Sequence, residues 1–154
     1  MPQENLRYLD PQCTLTLAEG LAEFESAQEG LIPIDEASEV GRLTKAHDCC
    51  HVLFGLTTEI EDEALADTWT IFGSTVTLRE YMRFLQHDEY KQLVKDIGAW
   101  AMIRGSARSL PDVVRVIRRS RRMREKWPFF EYARFLDTPL VELRRRFGIE
   151  LVQR

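Results

Sequence analysis

The chain has 154 residues, 44% of them hydrophobic and 30% charged, with a formal net charge of -4. That is the composition of an ordinary soluble protein long enough for one domain with a real core. Internal repeats and low-complexity tracts are excluded, and the most apolar late stretch, Gly98 to Ile103, is far too short to span a bilayer.

From the N-terminus, Met1 to Arg7 lacks both the apolar run of a signal peptide and the Arg/Ser richness of a transit peptide. Residues 1–38 carry eight acidic side chains against Arg7. Leu17, Leu21 and Phe24 predict an amphipathic helix from about Leu15 to Gln28, ended by Gly30 and Pro33. A longer helix is predicted from Glu36 to Leu56. Its Leu43, Ala46, Cys49, Leu53 and Leu56 should face an apolar core, while Gly55 leaves room for a ligand or another helix. Thr58 with Glu61 predicts a capping box opening a further helix from Glu59 to Phe72. The three cysteines are odd in number and two are adjacent, which suits a reducing cytoplasm; Cys49 and Cys50 read as small core residues.

After a turn at Gly73-Ser74-Thr75, helical pattern resumes from Leu78 to Phe84 and again from about Tyr90 to Arg104. His87-Asp88 has no second histidine one turn away and is read as surface. Residues 104–126 then carry nine basic side chains against two acidic ones. Pro111 suits the first turn of a helix there. Arg115, Arg118, Arg119 and Arg122 would form one positive stripe, and with Trp127 they are candidates for contact with an anionic membrane or lipid; the alternatives are a solvated face paired with acidic neighbours for the stripe and a place in the core for Trp127. Nucleic acid ranks last, because no aromatic interleaving or recognised motif accompanies the arginines. A final helix from Leu140 to Phe147 should stop at Gly148. The expected fold is all-α, a single-domain helical bundle of about six to seven helices.

The chemistry concentrates in Ala46-His47-Asp48-Cys49-Cys50-His51, followed by Glu63. At about 100° per residue, His47 and His51 share a helical face one turn apart with Asp48 beside them. Glu63, early in the next helix, can fold back beside His51. Two imidazoles and two carboxylates suit zinc or another first-row divalent ion with one position open to water. Histidines four apart also arise by chance in helices, but two of the chain's three histidines fall here. Asp67 is a candidate to support the ligands, with a solvated helix charge as the favoured reading.

His47-Asp48-x-x-His51, eleven residues and Glu63 together resemble the signature of the Coq-four family of ubiquinone biosynthesis. The run from His51 to Glu59, Trp127 to Phe135, and Pro139 to Ile149 resemble it too. The likeness covers about residues 31–151 and leaves the first thirty as a helical extension of open role. It implies a helical protein with zinc at His47, Asp48, His51 and Glu63. It further implies action on a polyprenylated ring intermediate of ubiquinone, with the C1 carboxyl replaced by a hydroxyl. Association with other quinone-biosynthesis proteins at a membrane is implied as well. A cytoplasmic protein, peripheral on the inner face of the cell membrane, is the expectation, and a homodimer is admitted. The competing readings are a non-catalytic prenyl-lipid-binding or scaffolding protein and a metal-dependent phosphohydrolase built on His47-Asp48.

Overall fold

Among the described residues, hydroxyl side chains open three helices and glycines close two. The structure, a computed structural model, describes residues 5–28, 38–84 and 108–152. These residues form α1 (Leu17–Ser26), α2 (Glu39–Phe54), α3 (Ile60–Gly73), α4 (Leu78–Phe84), α5 (Leu110–Ser120) and α6 (Leu140–Phe147). Two 3-10 segments, Arg7–Leu9 and Phe129–Phe135, complete the helical elements. Among the described residues there is no strand, only isolated bridges joining Thr16 to Pro139 and Ser74 to Trp127. The fold is all-α, as expected. The predicted helix from Tyr90 to Arg104 and the histidine at 87 lie outside the described residues.

Thr16 and Glu19 form a reciprocal capping box on α1, Thr77 and Glu80 make the same exchange before α4, and Ser38 accepts from the Gly41 amide to start α2. The opening of α3 differs from expectation. Thr57 carries the turn: its amide and its hydroxyl both donate to one oxygen of Asp62, at 2.8 and 2.7 Å. No side chain caps α3 at Glu59. The shift by one residue leaves the Thr57 carbonyl pointing back toward α2.

Glycine matters at two places. At Gly20 an added Cβ would stand 2.6 Å from Val52 Cγ1, so only glycine lets α1 lie this close on α2. Gly55 ends α2 in the left-handed region at φ 65°, and an added Cβ would meet Leu151 Cδ1 at 2.8 Å. The space expected there for a ligand is taken by the C-terminal segment.

The core joins α2 and α3 through Phe54 stacked on Trp69, with ring centroids 4.3 Å apart. The expected inward residues of α2, Leu43, Ala46, Cys49, Leu53 and Leu56, are all buried, as is Cys50. A second aromatic group seats Trp127 against Phe135 and Phe147, at centroid distances of 5.1 and 5.2 Å. Trp127 is 0% exposed, so of its two expected places it takes the core and is not a lipid contact. The basic stripe is also partly used within the fold. Arg119 donates to the carbonyls of Glu150 and Leu151, and Arg115 pairs with Asp112 at 2.7 Å, while Arg118 and Arg122 are exposed. Among the described residues no helix is long and apolar enough to cross a membrane.

Beneath the end of α2 sits Arg144, only 4% exposed. Its guanidinium donates to the carbonyls of Leu53 at 2.9 Å, Val52 at 3.0 Å, Tyr8 at 2.6 Å and Asp10 at 2.6 Å. Two of these are carbonyls at the C-terminal end of a helix, a place that favours a cation, and the Val52 carbonyl also takes the Gly55 amide at 3.4 Å. One side chain therefore binds α6, the end of α2 and the N-terminal segment together, and burial brings its pKa down to about 10.

Candidate metal centre

His47 and His51 project from one face of α2, one turn apart, with ring centroids 4.8 Å apart and planes crossed at 74°. Glu63 reaches them from α3, which the short Thr57–Glu59 connection folds back against α2. One donor atom from each of His47, His51 and Glu63 lies within 4.8 Å of the other two. Ligands at zinc bond lengths of about 2.1 Å stand roughly 3.4 Å apart around a tetrahedron, so side-chain rotation of about an ångström closes the set.

The orientation of His51 is fixed by its surroundings. Nδ1 lies 3.0 Å from the Thr57 carbonyl, which can only accept, so Nδ1 carries the hydrogen. In the neutral ring the lone pair then sits on Nε2, and Nε2 faces Glu63 Oε1 at 3.5 Å. A lone pair opposite a carboxylate oxygen is repulsive unless a proton or a cation lies between them. The ring is 2% exposed and stacks on Phe24 of α1, at 5.1 Å and 29°. Glu63, at 43% exposed, forms the open side.

His47 is held differently. Its Nε2 lies 3.3 Å from Asp67 Oδ1, and the same oxygen accepts the hydroxyl of Tyr81 from α4. Asp67 is thus engaged with the site, against the expectation of a solvated charge. The reason is its place one turn beyond Glu63 on α3, where α2 packs.

The charges follow from these contacts. Burial works against a charged His47, but hydrogen bonding to Asp67 and the nearby Glu63 and Asp48 outweigh it and hold the ring above the usual imidazole range. Burial likewise opposes ionisation of Glu63 and Asp67, yet the two imidazoles keep both below the usual carboxylate range. Asp48 behaves in the opposite way: burial pushes it up to about 6 despite its neighbours His47 and His51. It is not part of the converging group of three, and its charged neighbours also include Glu25 and Lys45, toward α1.

Two imidazoles and one carboxylate, with one imidazole already oriented by a carbonyl, fit a divalent ion that retains an open coordination position. The motif spacing pointed to His47, His51 and Glu63. It did not disclose Phe24, Tyr81 or the Thr57 carbonyl, which reach the site through tertiary packing; the four-residue step from Glu63 to Asp67 was the one available signal for Asp67. No family model, curated protein or solved structure matches the chain, so what the site can do is decided by its own residues.

Proposed function

We propose that this chain binds a divalent metal, zinc by preference, through His47, His51 and Glu63, and acts on the ring of a polyprenylated benzenoid in quinone biosynthesis. The observation that carries the metal is the His51 ring, whose Nδ1–H is taken by Thr57 and whose Nε2 faces Glu63. The substrate class rests on the resemblance of His47-Asp48-x-x-His51 and Glu63 to the Coq-four motif, which also makes Asp48 a candidate fourth ligand. When bound, the ion supplies Lewis acidity toward the ring carboxylate that the resemblance gives as the leaving group.

The chain's own residues have separable parts in this reading. His51 and Phe24 form the buried floor, and Asp67 and Tyr81 secure His47. Half-exposed Glu63 lies on the side from which a large substrate can approach. Arg118, exposed on α5, and Arg122, exposed in the turn after it, are the part of the basic stripe left to meet an anionic lipid surface.

Turnover of a prenylated hydroxybenzoate by the purified chain tests the proposal, with Glu63→Gln as the variant. Loss of turnover with unchanged helical circular dichroism supports catalysis. A scaffolding role is favoured by the way the ligands bridge α2 and α3, which a metal would staple. Full restoration of quinone synthesis by Glu63→Gln, in a cell lacking its own family member, would select the scaffold and remove the enzyme.

A further inference from the structure

We propose that Asp67 and Tyr81 are positioning residues for His47, and that they and Thr57 hold the two imidazoles in opposite tautomers. His47 carries its proton on Nε2 and His51 carries its proton on Nδ1. The inference rests on the metal reading for its purpose, while the tautomers themselves are a property of the metal-free chain.

Donors and acceptors fix both tautomers. A backbone carbonyl has no hydrogen to give, so the 3.0 Å contact from Thr57 requires N–H at Nδ1 of His51. An ionised carboxylate is also acceptor-only. Asp67 Oδ1 receives the Tyr81 hydroxyl and faces Nε2 of His47 at 3.3 Å, which requires N–H at that nitrogen. With one hydrogen per neutral ring, the lone pairs remain on Nδ1 of His47 and Nε2 of His51.

The ring planes are fixed as well as the protons. Tyr81 is buried, and its ring lies 6.2 Å from that of His47 at an interplanar angle of 23°. Phe24 does the same for His51 from the opposite helix. Each imidazole is therefore held by one hydrogen-bond acceptor and one aromatic ring, drawn from different elements for each. A histidine ligand that gives its second N–H to a carboxylate has its orientation set and its basicity raised, and loss of such a partner typically weakens metal binding 10–100-fold.

The experiment uses the full chain with nitrogen-15-labelled histidine, metal-free, at a pH where both rings are neutral. Long-range proton–nitrogen correlation spectra read the tautomer of each ring directly. His47 should be protonated at Nε2 and His51 at Nδ1; zinc should then shift Nδ1 of His47 and Nε2 of His51. In Asp67→Asn, His47 should relax to a mixture of tautomers, and cobalt(II) affinity should fall about 10–100-fold. Tyr81→Phe should keep the His47 tautomer and lose at most about tenfold, the lower end of that range. Finding Nδ1–H on His47 in the wild type would overturn the proposal. So would Asp67→Asn with both the wild-type tautomer and the wild-type cobalt affinity. If the stated tautomers are found but no metal binds, the placement stands and the metal reading falls. If metal binds to rings of the reverse tautomers, the placement alone is lost.

Discussion

Replacing Arg144 with Met keeps the apolar stem of the side chain and removes its five N–H donors. Of the four carbonyls it now serves, those of Tyr8 and Leu53 would be left without a donor in a buried setting, while Asp10 and Val52 keep the amides of Cys13 and Gly55. At about 2 kcal/mol for each of the two stranded groups and about 1 for each bond lost from a carbonyl that keeps another donor, the loss is about 6 kcal/mol. Against this, the variant no longer desolvates a guanidinium. The drop of its pKa from 12.5 to about 10 puts that cost at roughly 3 kcal/mol, at 1.36 kcal/mol per unit. The expected net destabilisation is about 3 kcal/mol at most and about 2 if water reaches some of the carbonyls, at or below the lower end of what breaking a buried charged contact costs. Urea unfolding followed by circular dichroism should show a lower midpoint at unchanged slope, with a melting temperature down by about 10 °C. Arg144→Lys should behave more like Met than like Arg, because one ammonium cannot span carbonyls from α2 and from the N-terminal segment. Because Val52 and Leu53 directly follow His51, the variant that still folds should also bind metal less tightly. A change below about 1 kcal/mol in Arg144→Met would refute the account, since stranded carbonyls of this number cost more than that.

Other perturbations separate the remaining parts. Asp48 has a folded-state pKa of about 6 against an ordinary 3.8, so the metal-free fold loses stability as pH rises through that interval. Asp48→Asn should therefore stabilise metal-free protein above pH 6, by up to about 3 kcal/mol at 1.36 kcal/mol per unit, and change nothing in strong acid; destabilisation at neutral pH would refute this. In the same thermal melts, the pairing of His47, whose pKa is raised, should contribute below the ordinary imidazole range and fade as pH rises through its raised value. Glu63 and Asp67, both lowered, should lose their contribution only in acid, below the ordinary carboxylate range. Gly55→Ala should cost about 1–2 kcal/mol for the left-handed backbone, and more as Leu151 is displaced; an unchanged melting temperature would contradict the close contact. Binding to anionic vesicles should weaken with salt and be largely removed by charge reversal at Arg118 and Arg122, whereas a charge introduced at buried Trp127, or charge reversal at Arg119, would chiefly unfold the chain. Indifference of the wild type to anionic vesicles at low salt would leave α5 as a solvated face.

What could be read from the chain alone follows from how local each feature is. His47, His51 and Glu63 were legible because helical rotation and one short connection decide where they meet. Gly148 was legible as a helix stop for the same reason. The start of α3 was misplaced by one residue, since Thr57-Thr58 and Glu61-Asp62 offer two overlapping capping pairs and only packing chooses between them. Among Arg144, Arg145 and Arg146, the buried one falls in step with Leu140, Leu143 and Phe147, so periodicity held a signal that the charge obscured. Phe24, Tyr81 and Arg119 gained their roles from elements far away in sequence. Nothing local marks an aromatic on α1 as the neighbour of a histidine on α2, or an arginine on α5 as the anchor of the C-terminal segment. The acidic N-terminal portion was without an assigned role, and it proves to supply the ring that stacks on His51.

The central claim is that His47, His51 and Glu63 hold one divalent ion, and elemental analysis after equilibrium dialysis against zinc measures this directly. The account predicts about one zinc per chain in the wild type at neutral pH, falling in acid as the ligands protonate. His51→Ala and Glu63→Ala should each retain far less than one while keeping their helical circular dichroism. A wild type that takes up no metal, or two variants that both retain it in full, would contradict the site.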